Sequence, residues 1–264
     1  MGDEPIITTP TTSLYTPDEG KPEPARDREM GNMLVRAIEE GKQVVPENPA
    51  PLVCKPQQLE SWRVFKIMAE FVDGFDLLKK YGLTATFFGS VRTQPGEPAY
   101  EAARELAGRL AKAGYAIVTG GSAGIMEAGN RGAHEAGGAS VGLNIRLADN
   151  QANNEYLTDN FIFDHFFVRK VMLAFASEVY VYFQGGYGTL DEFSEIVTLV
   201  QTKKIKPVPI VLYGKEFWDP IVTLFREHLL GKYGTISEED LALFQVVDSV
   251  DEAFEYIKKT VTAC

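Results

Sequence analysis

The sequence predicts an α/β protein with a Rossmann-like, doubly wound parallel sheet and flanking helices on both faces. Two observations carry this prediction. Short apolar runs rich in β-branched and aromatic residues alternate with segments of helical periodicity from about residue 57 onward. Three of these runs lead directly into glycine-bearing turns. Strands that alternate with helices in this way form parallel sheets with right-handed crossovers.

Composition limits the classes of partner. The chain has 264 residues, is 45% hydrophobic and carries a net charge of −11, so it can bury a full core and is not suited to nucleic acid or an anionic membrane surface as its main partner. Its sequence has no apolar run of the roughly 18 residues that a membrane span needs. Because the N-terminus has no basic-then-apolar signal pattern, we expect a cytoplasmic location. Cys54 and Cys264 suggest no disulfide framework.

The chain divides into two regions by composition. Residues 1–56 are rich in proline, threonine and glutamate and predict a flexible extension, with one amphipathic helix over roughly residues 26–42. Residues 57–264 predict one domain. It opens with a broad-faced apolar helix from Gln57 to Lys80, ended by Gly82. This helix is expected to cover one face of the sheet, and its aromatic face could also meet a partner subunit.

The elements that follow alternate regularly. The pattern predicts, in order, strand 84–88, helix 98–113, strand 115–119, a helix from residue 125 closed by glycines 137 and 138, strand 140–145, a loop over 146–160, strand 160–164 and helix 167–176. After these come strand 179–183, a helix from about Thr189, strand 208–212, two further helices and a short extended segment over 244–247.

The three glycine-bearing turns are expected to line one crevice, because ligands of open α/β sheets bind at the carboxyl ends of the strands. They are Gly89-Ser90, Gly120-Gly121-Ser122-Ala123-Gly124 and Gly185-Gly186-Tyr187-Gly188. A glycine loop before a helix N-terminus presents free amides to an anion. Neither a Rossmann dinucleotide fingerprint nor a Walker loop is present in the sequence, so the pattern favours a phosphate site of another kind.

Two acids follow the last loop. Asp191 and Glu192 are predicted in the first turn of the helix that begins near Thr189. Taken alone, such a pair could merely complement the helix dipole. Likewise, Arg169 alone could be a surface cation at a helix start.

The combined motifs resemble the Lonely Guy proteins, which are often mislabelled as lysine decarboxylases. Their signature is Pro-Gly-Gly-x-Gly-Thr-x-x-Glu, preceded by an Arg-Lys pair on the helix before it. This chain has Gln184-Gly185-Gly186-Tyr187-Gly188-Thr189-Leu190-Asp191-Glu192 preceded by Arg169-Lys170 at the family spacing. The upstream Gly89-Ser90 and the loop from Gly120 to Met126 also match. The resemblance covers about residues 57–250.

The resemblance implies hydrolysis of the N-glycosidic bond of a nucleoside 5′-monophosphate, AMP or N6-prenylated AMP, to free base and ribose 5-phosphate. It implies catalytic roles for Arg169 and Glu192. The residues implied to bind the substrate are Gly89, Ser90, Gly120, Gly121, Gly124, Lys170, Gly185, Gly186, Gly188 and Thr189, with Arg92 a weaker candidate. It also implies a homo-oligomer, a dimer or larger. No metal and no cofactor are expected, because the phosphate is not the reacting group.

Other interpretations stay open at this stage. Similar folds bind nucleotides or molybdenum cofactor without cleaving them, so a non-catalytic carrier is the alternative. Lysine decarboxylation is disfavoured, because no lysine and acid partner for pyridoxal phosphate are evident. Lys170 could contact the site or a neighbouring chain, and Asp191 could cap the helix or face solvent. Gln184 replaces the family proline, and Ser122 and Ala123 restrict the loop more than glycine would.

Overall fold

The computed structural model describes residues 7–9, 44–46, 62–146 and 153–261. Contacts along the chain separate residues 1–59 from residues 60–264. In the first unit, strands β1 (Ile7–Thr9) and β2 (Val44–Pro46) pair in parallel, which the sequence analysis did not predict. The helix predicted over residues 26–42 lies outside the described residues, as does most of the predicted flexible extension.

The second unit is built on a seven-stranded sheet in which every neighbouring pair is parallel. Its strands are β3 (Thr84–Phe88), β4 (Ala116–Thr119), β5 (Ser140–Ile145), β6 (Asp159–Phe163), β7 (Val179–Tyr182), β8 (Ile210–Tyr213) and β9 (Gln245–Val247). The order across the sheet is β6-β5-β4-β3-β7-β8-β9. The predicted doubly wound parallel sheet is confirmed.

Seven α-helices accompany this sheet in the described residues. They are α1 (Trp62–Leu78), α2 (Pro98–Lys112), α3 (Ile125–Glu135), α4 (Phe166–Phe175), α5 (Tyr187–Gln201), α6 (Lys215–Leu224) and α7 (Val250–Thr260). A π-helical segment, Phe225–Lys232, extends α6, and a short 3-10 helix covers Glu239–Ala242. Within the described parts of the chain, no helix combines the length and apolarity needed to cross a membrane.

Helices cover both faces of the sheet, as predicted. The alternation of side chains along β7 shows how the two cores arise. Val179 and Val181 belong to a cluster with residues of α2, α3 and α7, whereas Tyr180 and Tyr182 belong to a cluster with residues of α1, α4, α5 and α6. All four side chains are almost fully buried, because successive residues of a strand point to opposite faces and each face of a parallel sheet is covered.

Most predicted boundaries hold to within two residues, and one difference matters for the site. Helix α5 begins at Tyr187, two residues before the predicted start at Thr189. Asp191 and Glu192 therefore lie in the second turn of α5, and the prediction that they lie in its first turn is wrong. The first turn contains no acidic residue, so neither acid is placed at the positive end of the helix.

The topology fixes where a ligand can enter. From β3 the chain runs outward through β4, β5 and β6, then returns to place β7 on the other side of β3. The strand order therefore reverses between β3 and β7. In open α/β sheets the crevice beyond the carboxyl ends of the strands at such a switch point is the usual ligand site.

Candidate functional site

A cavity of about 440 Å³ opens at this switch point. Its volume falls in the range of roughly 300–1,000 Å³ that is typical of small-molecule sites. Eight of the twelve site residues proposed from the sequence line it: Gly89, Ser90, Gly120, Arg169, Gly186, Gly188, Thr189 and Glu192. Arg92 lines it as well. Of the other four, Gly121, Lys170 and Gly185 are each adjacent in sequence to a lining residue, and Gly124 lies two positions before the lining residue Met126.

The three glycine loops are joined through the backbone of Ser90. Its amide donates to the carbonyl of Gln184, in the loop after β7, at 2.9 Å. Its carbonyl accepts from the amide of Ile125, at the start of α3, at 3.0 Å. A backbone carbonyl is the acceptor at Gln184, and proline would also supply one. The replacement of the family proline by glutamine therefore leaves this link between the loops intact.

The loop between β4 and α3 keeps its shape through its glycines. Gly121 and Gly124 adopt positive φ angles of 73° and 71°, a region that favours glycine. Ser122 and Ala123 stand between them and need no such conformation. A Cβ atom on Gly124 would also lie 2.2 Å from the carbonyl oxygen of Ser90. The two non-glycine residues of this loop are thus placed where side chains are tolerated.

The N-terminus of α5 faces the cavity with unused amides. The carbonyl of Gly186 accepts from the amides of Thr189 and Leu190, both at 3.1 Å. In the described part of the chain, the amides of Tyr187 and Gly188 have no backbone acceptor. Amides at a helix N-terminus together with the positive end of the helix dipole form an anion site. Tyr187 and Gly188 are exposed and line the cavity, so an anion can reach them.

Glu192 is the buried acid of the cavity. It is 6% exposed, and its Oε2 atom has no hydrogen-bond partner among the described residues. Burial raises the pKa of Glu192 to about 7, which the charge of Lys170 partly opposes. A carboxyl whose pKa lies near neutrality can exchange a proton at physiological pH. Position and ionisation both make Glu192 the strongest candidate for proton transfer in this cavity.

Arg169 is the cation of the same cavity. It lies in the first turn of α4, and its Nε atom donates to the carbonyl of Leu143 in β5 at 2.6 Å. The guanidinium passes so close to Gly120 that a Cβ atom there would lie 2.3 Å from Nη2. Burial lowers the pKa of Arg169 and the nearby Glu192 raises it; a guanidinium stays protonated in either case. The cavity therefore holds a fixed positive charge near a carboxyl that can be ionised.

Lys170 and Asp191 pair with one another beside the cavity. Lys170 Nζ lies 2.5 Å from Asp191 Oδ2 and 3.5 Å from Glu195 Oε2. This pairing connects α4 to α5 and places a positive charge near Glu192. Asp191 is 57% exposed at its side chain, which agrees with the expectation that it faces solvent. Of the two adjacent acids, only Glu192 lines the cavity.

Sequence reasoning missed the polar network under the second glycine loop. Asn144 Nδ2 donates to the carbonyl of Gly121 at 3.1 Å, and Asn154 Nδ2 donates to the carbonyl of Ser122 at 3.0 Å. Beneath them, Asn130 is fully buried and its Oδ1 accepts from Thr119 Oγ1 and Asn154 Nδ2. An asparagine inside the apolar pattern of β5 was the available signal, because buried polar side chains need partners.

Comparison with known proteins identifies the family. The model of a family described as possible lysine decarboxylase matches residues 126–257, which is half of the chain. The chain belongs to this family. The match includes α4, α5 and two residues that line the cavity, Arg169 and Glu192. The resemblance to the Lonely Guy proteins, whose members often carry the lysine decarboxylase label, is thus confirmed at the level of the family.

Three individual proteins are also similar to this chain. An uncharacterized protein of Archaeoglobus fulgidus is 29% identical over 126 residues, which are 47% of this chain and 80% of that protein. A solved structural genomics target, TM1055, is 26% identical with a TM-score of 0.52 and covers 67% of this chain and 99% of its own. The molybdenum cofactor carrier protein of Chlamydomonas reinhardtii is 23% identical with a TM-score of 0.51, covering 67% and 96%. At 23% identity, the similarity to the carrier protein shows the fold alone.

Proposed function

We propose that the protein hydrolyses the N-glycosidic bond of a nucleoside 5′-monophosphate, AMP or N6-prenylated AMP, to free base and ribose 5-phosphate. The observation that carries this proposal is that Glu192 and Arg169 line one cavity that opens onto the N-terminus of α5. The reaction involves three charges: the developing cation on the sugar, the charge on the departing base and the 5′-phosphate. The cavity offers a group for each of them, in the same order: an acid with a pKa near neutrality, a fixed cation and an anion site.

The phosphate is assigned to the N-terminus of α5. The exposed amides of Tyr187 and Gly188, with the hydroxyl of Thr189, offer donors to phosphate oxygens, and the helix dipole adds a positive potential. Thr189 is buried and lines the cavity. Because Glu192 follows Thr189 by less than one helical turn, a phosphate held there directs the attached ribose toward the carboxyl group.

Glu192 is assigned to the sugar. Cleavage of a glycosidic bond passes through an oxocarbenium-like state with positive charge at C1′. An ionised Glu192, which is itself buried, stabilises this charge. The C1′–N bond breaks with its electron pair going to the base nitrogen, which takes up a proton. A water molecule bonds to C1′ and gives a proton to Glu192, which releases it to solvent.

Arg169 is assigned to the negative charge that appears during cleavage. Because it stays cationic, it suits stabilisation of the departing base or of the phosphate better than proton donation. Its bond to the carbonyl of Leu143 fixes the guanidinium against the cavity wall. Charged groups that the protein already holds in place stabilise a transition state more effectively, because they do not have to reorganise during the reaction.

The carrier and decarboxylase interpretations fit the cavity less well. Binding without cleavage does not require an acid held at a pKa near neutrality, so Glu192 favours a reaction over carriage. For decarboxylation, a lysine would have to reach the cavity to hold pyridoxal phosphate. No lysine lines this cavity in the described ranges, and Lys170 is paired with Asp191.

The deciding experiment is base release from AMP and from N6-prenylated AMP, measured by chromatography. We expect the native protein to release base and Glu192→Ala to lose at least about a hundredfold in kcat. Asp191→Asn, a neighbouring acid outside the cavity, should retain most activity. Because the carboxylate is the active form, kcat/KM should rise with pH and level off above about 7.

The carrier alternative predicts a different result. The native protein would release no base from either nucleotide, while titration calorimetry would show that native protein and Glu192→Ala bind AMP equally well. That combination would overturn the hydrolase proposal.

A further inference from the structure

We propose that Glu70 and His165 are a positioning pair that sets the start of α4 and, through it, the guanidinium of Arg169. The kinetic part of this inference rests on the proposed hydrolase function; the structural part does not. Neither residue lines the cavity, and 95 positions separate them in the chain. The pair therefore acts through another residue instead of touching a substrate.

Two hydrogen bonds join Glu70 and His165. Glu70 is a buried acid of α1, 8% exposed. Its Oε1 lies 2.7 Å from Nδ1 of His165, and its Oε2 accepts from the backbone amide of His165 at 3.1 Å. A carboxylate offers only acceptors, so Nδ1 must carry a hydrogen. A neutral His165 is thereby fixed in the Nδ1–H tautomer, with its ring held by both atoms of one carboxylate.

This contact caps helix α4 from outside. His165 is the N-cap residue of α4, and its own side chain makes no capping hydrogen bond. The carbonyl of His165 accepts from the amides of Val168 and Arg169 at 3.1 and 3.2 Å. The carboxylate of Glu70 holds the amide of this same residue and brings negative charge to the positive end of the helix. A residue of α1 thus binds the amide of the N-cap residue, as the glutamate of a capping box does.

The first turn of α4 carries this constraint to the cavity. The amide of Arg169 is bonded to the residue that Glu70 holds, and its Nε is bonded to Leu143. The guanidinium fits against Gly120 with no room for a methyl group. A shift of the helix start must therefore either break the bond to Leu143 or press the guanidinium into the glycine loop.

Packing between α1 and α4 makes the two helices move together. Gly74 lies one turn after Glu70 on the same face of α1, and a Cβ atom there would lie 2.7 Å from Sδ of Met172 in α4. The helices are in close contact at this point because glycine has no side chain. Glu70 is thus anchored beside α4 by packing as well as by its hydrogen bonds.

Nuclear magnetic resonance tests the pair without reference to activity. The chain has three histidines, and His165→Gln assigns the ring signals of His165. At mildly alkaline pH we expect Nδ1–H in the native protein and a switch to Nε2–H in Glu70→Gln, because the new amide can donate to Nδ1 while its oxygen still accepts the backbone amide. Retention of the native tautomer in Glu70→Gln would overturn the proposed contact.

The Nε–H signal of Arg169, identified by its loss in Arg169→Lys, tests the positioning. We expect Glu70→Ala to shift or broaden this signal and Glu70→Gln to restore it. Asp73→Asn, which changes an exposed acid on the same helix, should leave it unchanged. An Arg169 signal that is native in folded Glu70→Ala overturns the inference. If Glu70→Ala does not fold, the tautomer in Glu70→Gln decides the contact, and the Arg169 signal in His165→Gln decides the positioning: a native signal there overturns the inference.

Kinetics add a readout that a purely structural role would not move. Below the melting temperature, Glu70→Ala should lower kcat by about tenfold to a hundredfold, as misplacement of a catalytic group does, with little change in KM. In an Arg169→Ala background the same change should have no further effect on kcat. Additive losses would contradict the inference. If the native protein hydrolyses neither nucleotide, the proposed function fails, but the resonance measurements still test the positioning pair.

Discussion

At the scale of single residues, the buried carboxyl of Glu192 links the candidate chemistry to the stability of the fold. Burial raises its pKa from 4.5 to about 7. Between these values the folded protein holds a proton that the unfolded chain releases. Stability contributed by this proton is therefore present at low pH and is lost as pH rises toward about 7. A buried carboxyl with a raised pKa is therefore expected at a position where the residue serves function and does not serve stability.

Glu192→Gln should therefore stabilise the protein at neutral and higher pH. Glutamine fills nearly the same volume and stays neutral, so it avoids the unfavourable charging of a buried group. We expect the free energy of unfolding to exceed that of the native protein by up to about 3 kcal/mol above pH 7, since one pKa unit corresponds to about 1.4 kcal/mol. The difference should disappear near pH 4.5. Urea unfolding at a series of pH values measures it.

Asp191→Asn is the matched control for this measurement. Asp191 is the adjacent acid, but it is exposed and paired with Lys170. Loss of an exposed ion pair costs about 0–1 kcal/mol, so this variant should be equal to the native protein or slightly less stable at neutral pH. A gap between native protein and Glu192→Gln that does not change with pH would contradict the assigned ionisation of Glu192.

Single residues also mark the limit of what the sequence predicts. Arg169 and Glu192 could be named because they form part of a local motif. The contact of Glu70 with His165 could not, because it joins residues 95 positions apart and depends on the way α1 lies on α4. The ionisation of Glu192 likewise depends on its burial in the folded protein, which residue spacing does not reveal.

At the scale of elements, the loop between β4 and α3 depends on two glycines for different reasons. At Gly120 an added methyl group would meet the ends of two flexible side chains, Arg169 and Met126. At Gly124 it would meet the backbone of Ser90 and Val91, and φ is +71°. The first glycine makes room for a cavity residue, whereas the second is required by the fold of the loop.

Gly120→Ala should therefore change the cavity and leave the fold intact. The side chains of Arg169 and Met126 can move away, so we expect a loss of stability of about 1 kcal/mol, the low end of the range for a methyl group added to a packed site. Base release should fall about tenfold or more because the guanidinium is displaced. Gly124→Ala should instead lower stability by more than about 1 kcal/mol, because neither its φ nor its neighbours can adapt. Thermal unfolding with parallel activity assays separates the two effects; equal losses of stability would contradict this distinction.

Elements were predictable where periodicity is strong and less so at their ends. Strand β5 was predicted with its observed limits, because a buried apolar run between glycine and arginine leaves little choice. Helix α5 begins two residues earlier than expected, because Gly186 serves as N-cap without a capping side chain. The π-helical segment after α6 left no signal in the apolar pattern. The pairing of β1 with β2 was hidden by proline-rich composition.

At the scale of the whole molecule, α1 carries an apolar stripe that the second unit leaves exposed. Trp62, Phe65, Met68, Val72 and Phe75 recur at helical spacing, and each is about half exposed or more. The fold itself uses the opposite stripe, which includes Glu70 and Gly74. Contiguous exposed apolar surface on this scale marks an interaction site.

The charges on α1 favour a second copy of the chain as the partner. Arg63 and Lys66 lie in its first half and Asp73 lies in its second half, where Asp76 already pairs with Lys79. When two such helices pack antiparallel about a two-fold axis, the basic half of one lies beside the acidic half of the other, and the apolar stripes meet. We propose this antiparallel pairing as the basis of the homo-oligomer that the family resemblance implies.

The combined change Phe65→Ser and Val72→Ser should shift the protein to monomer, measured by light scattering coupled to size-exclusion chromatography. It removes apolar area from the centre of the stripe, and hydrophobic contact contributes about 25 cal/mol for each Å² buried. Lys258→Ser changes an exposed residue of α7, which packs on the other face of the sheet, and should leave a dimer at micromolar concentration. Because both altered side chains are exposed in the single chain, thermal stability of the monomer should stay within about 1 kcal/mol of the native value. A native protein that is monomeric at all concentrations, or a double variant that remains dimeric, would contradict pairing through α1.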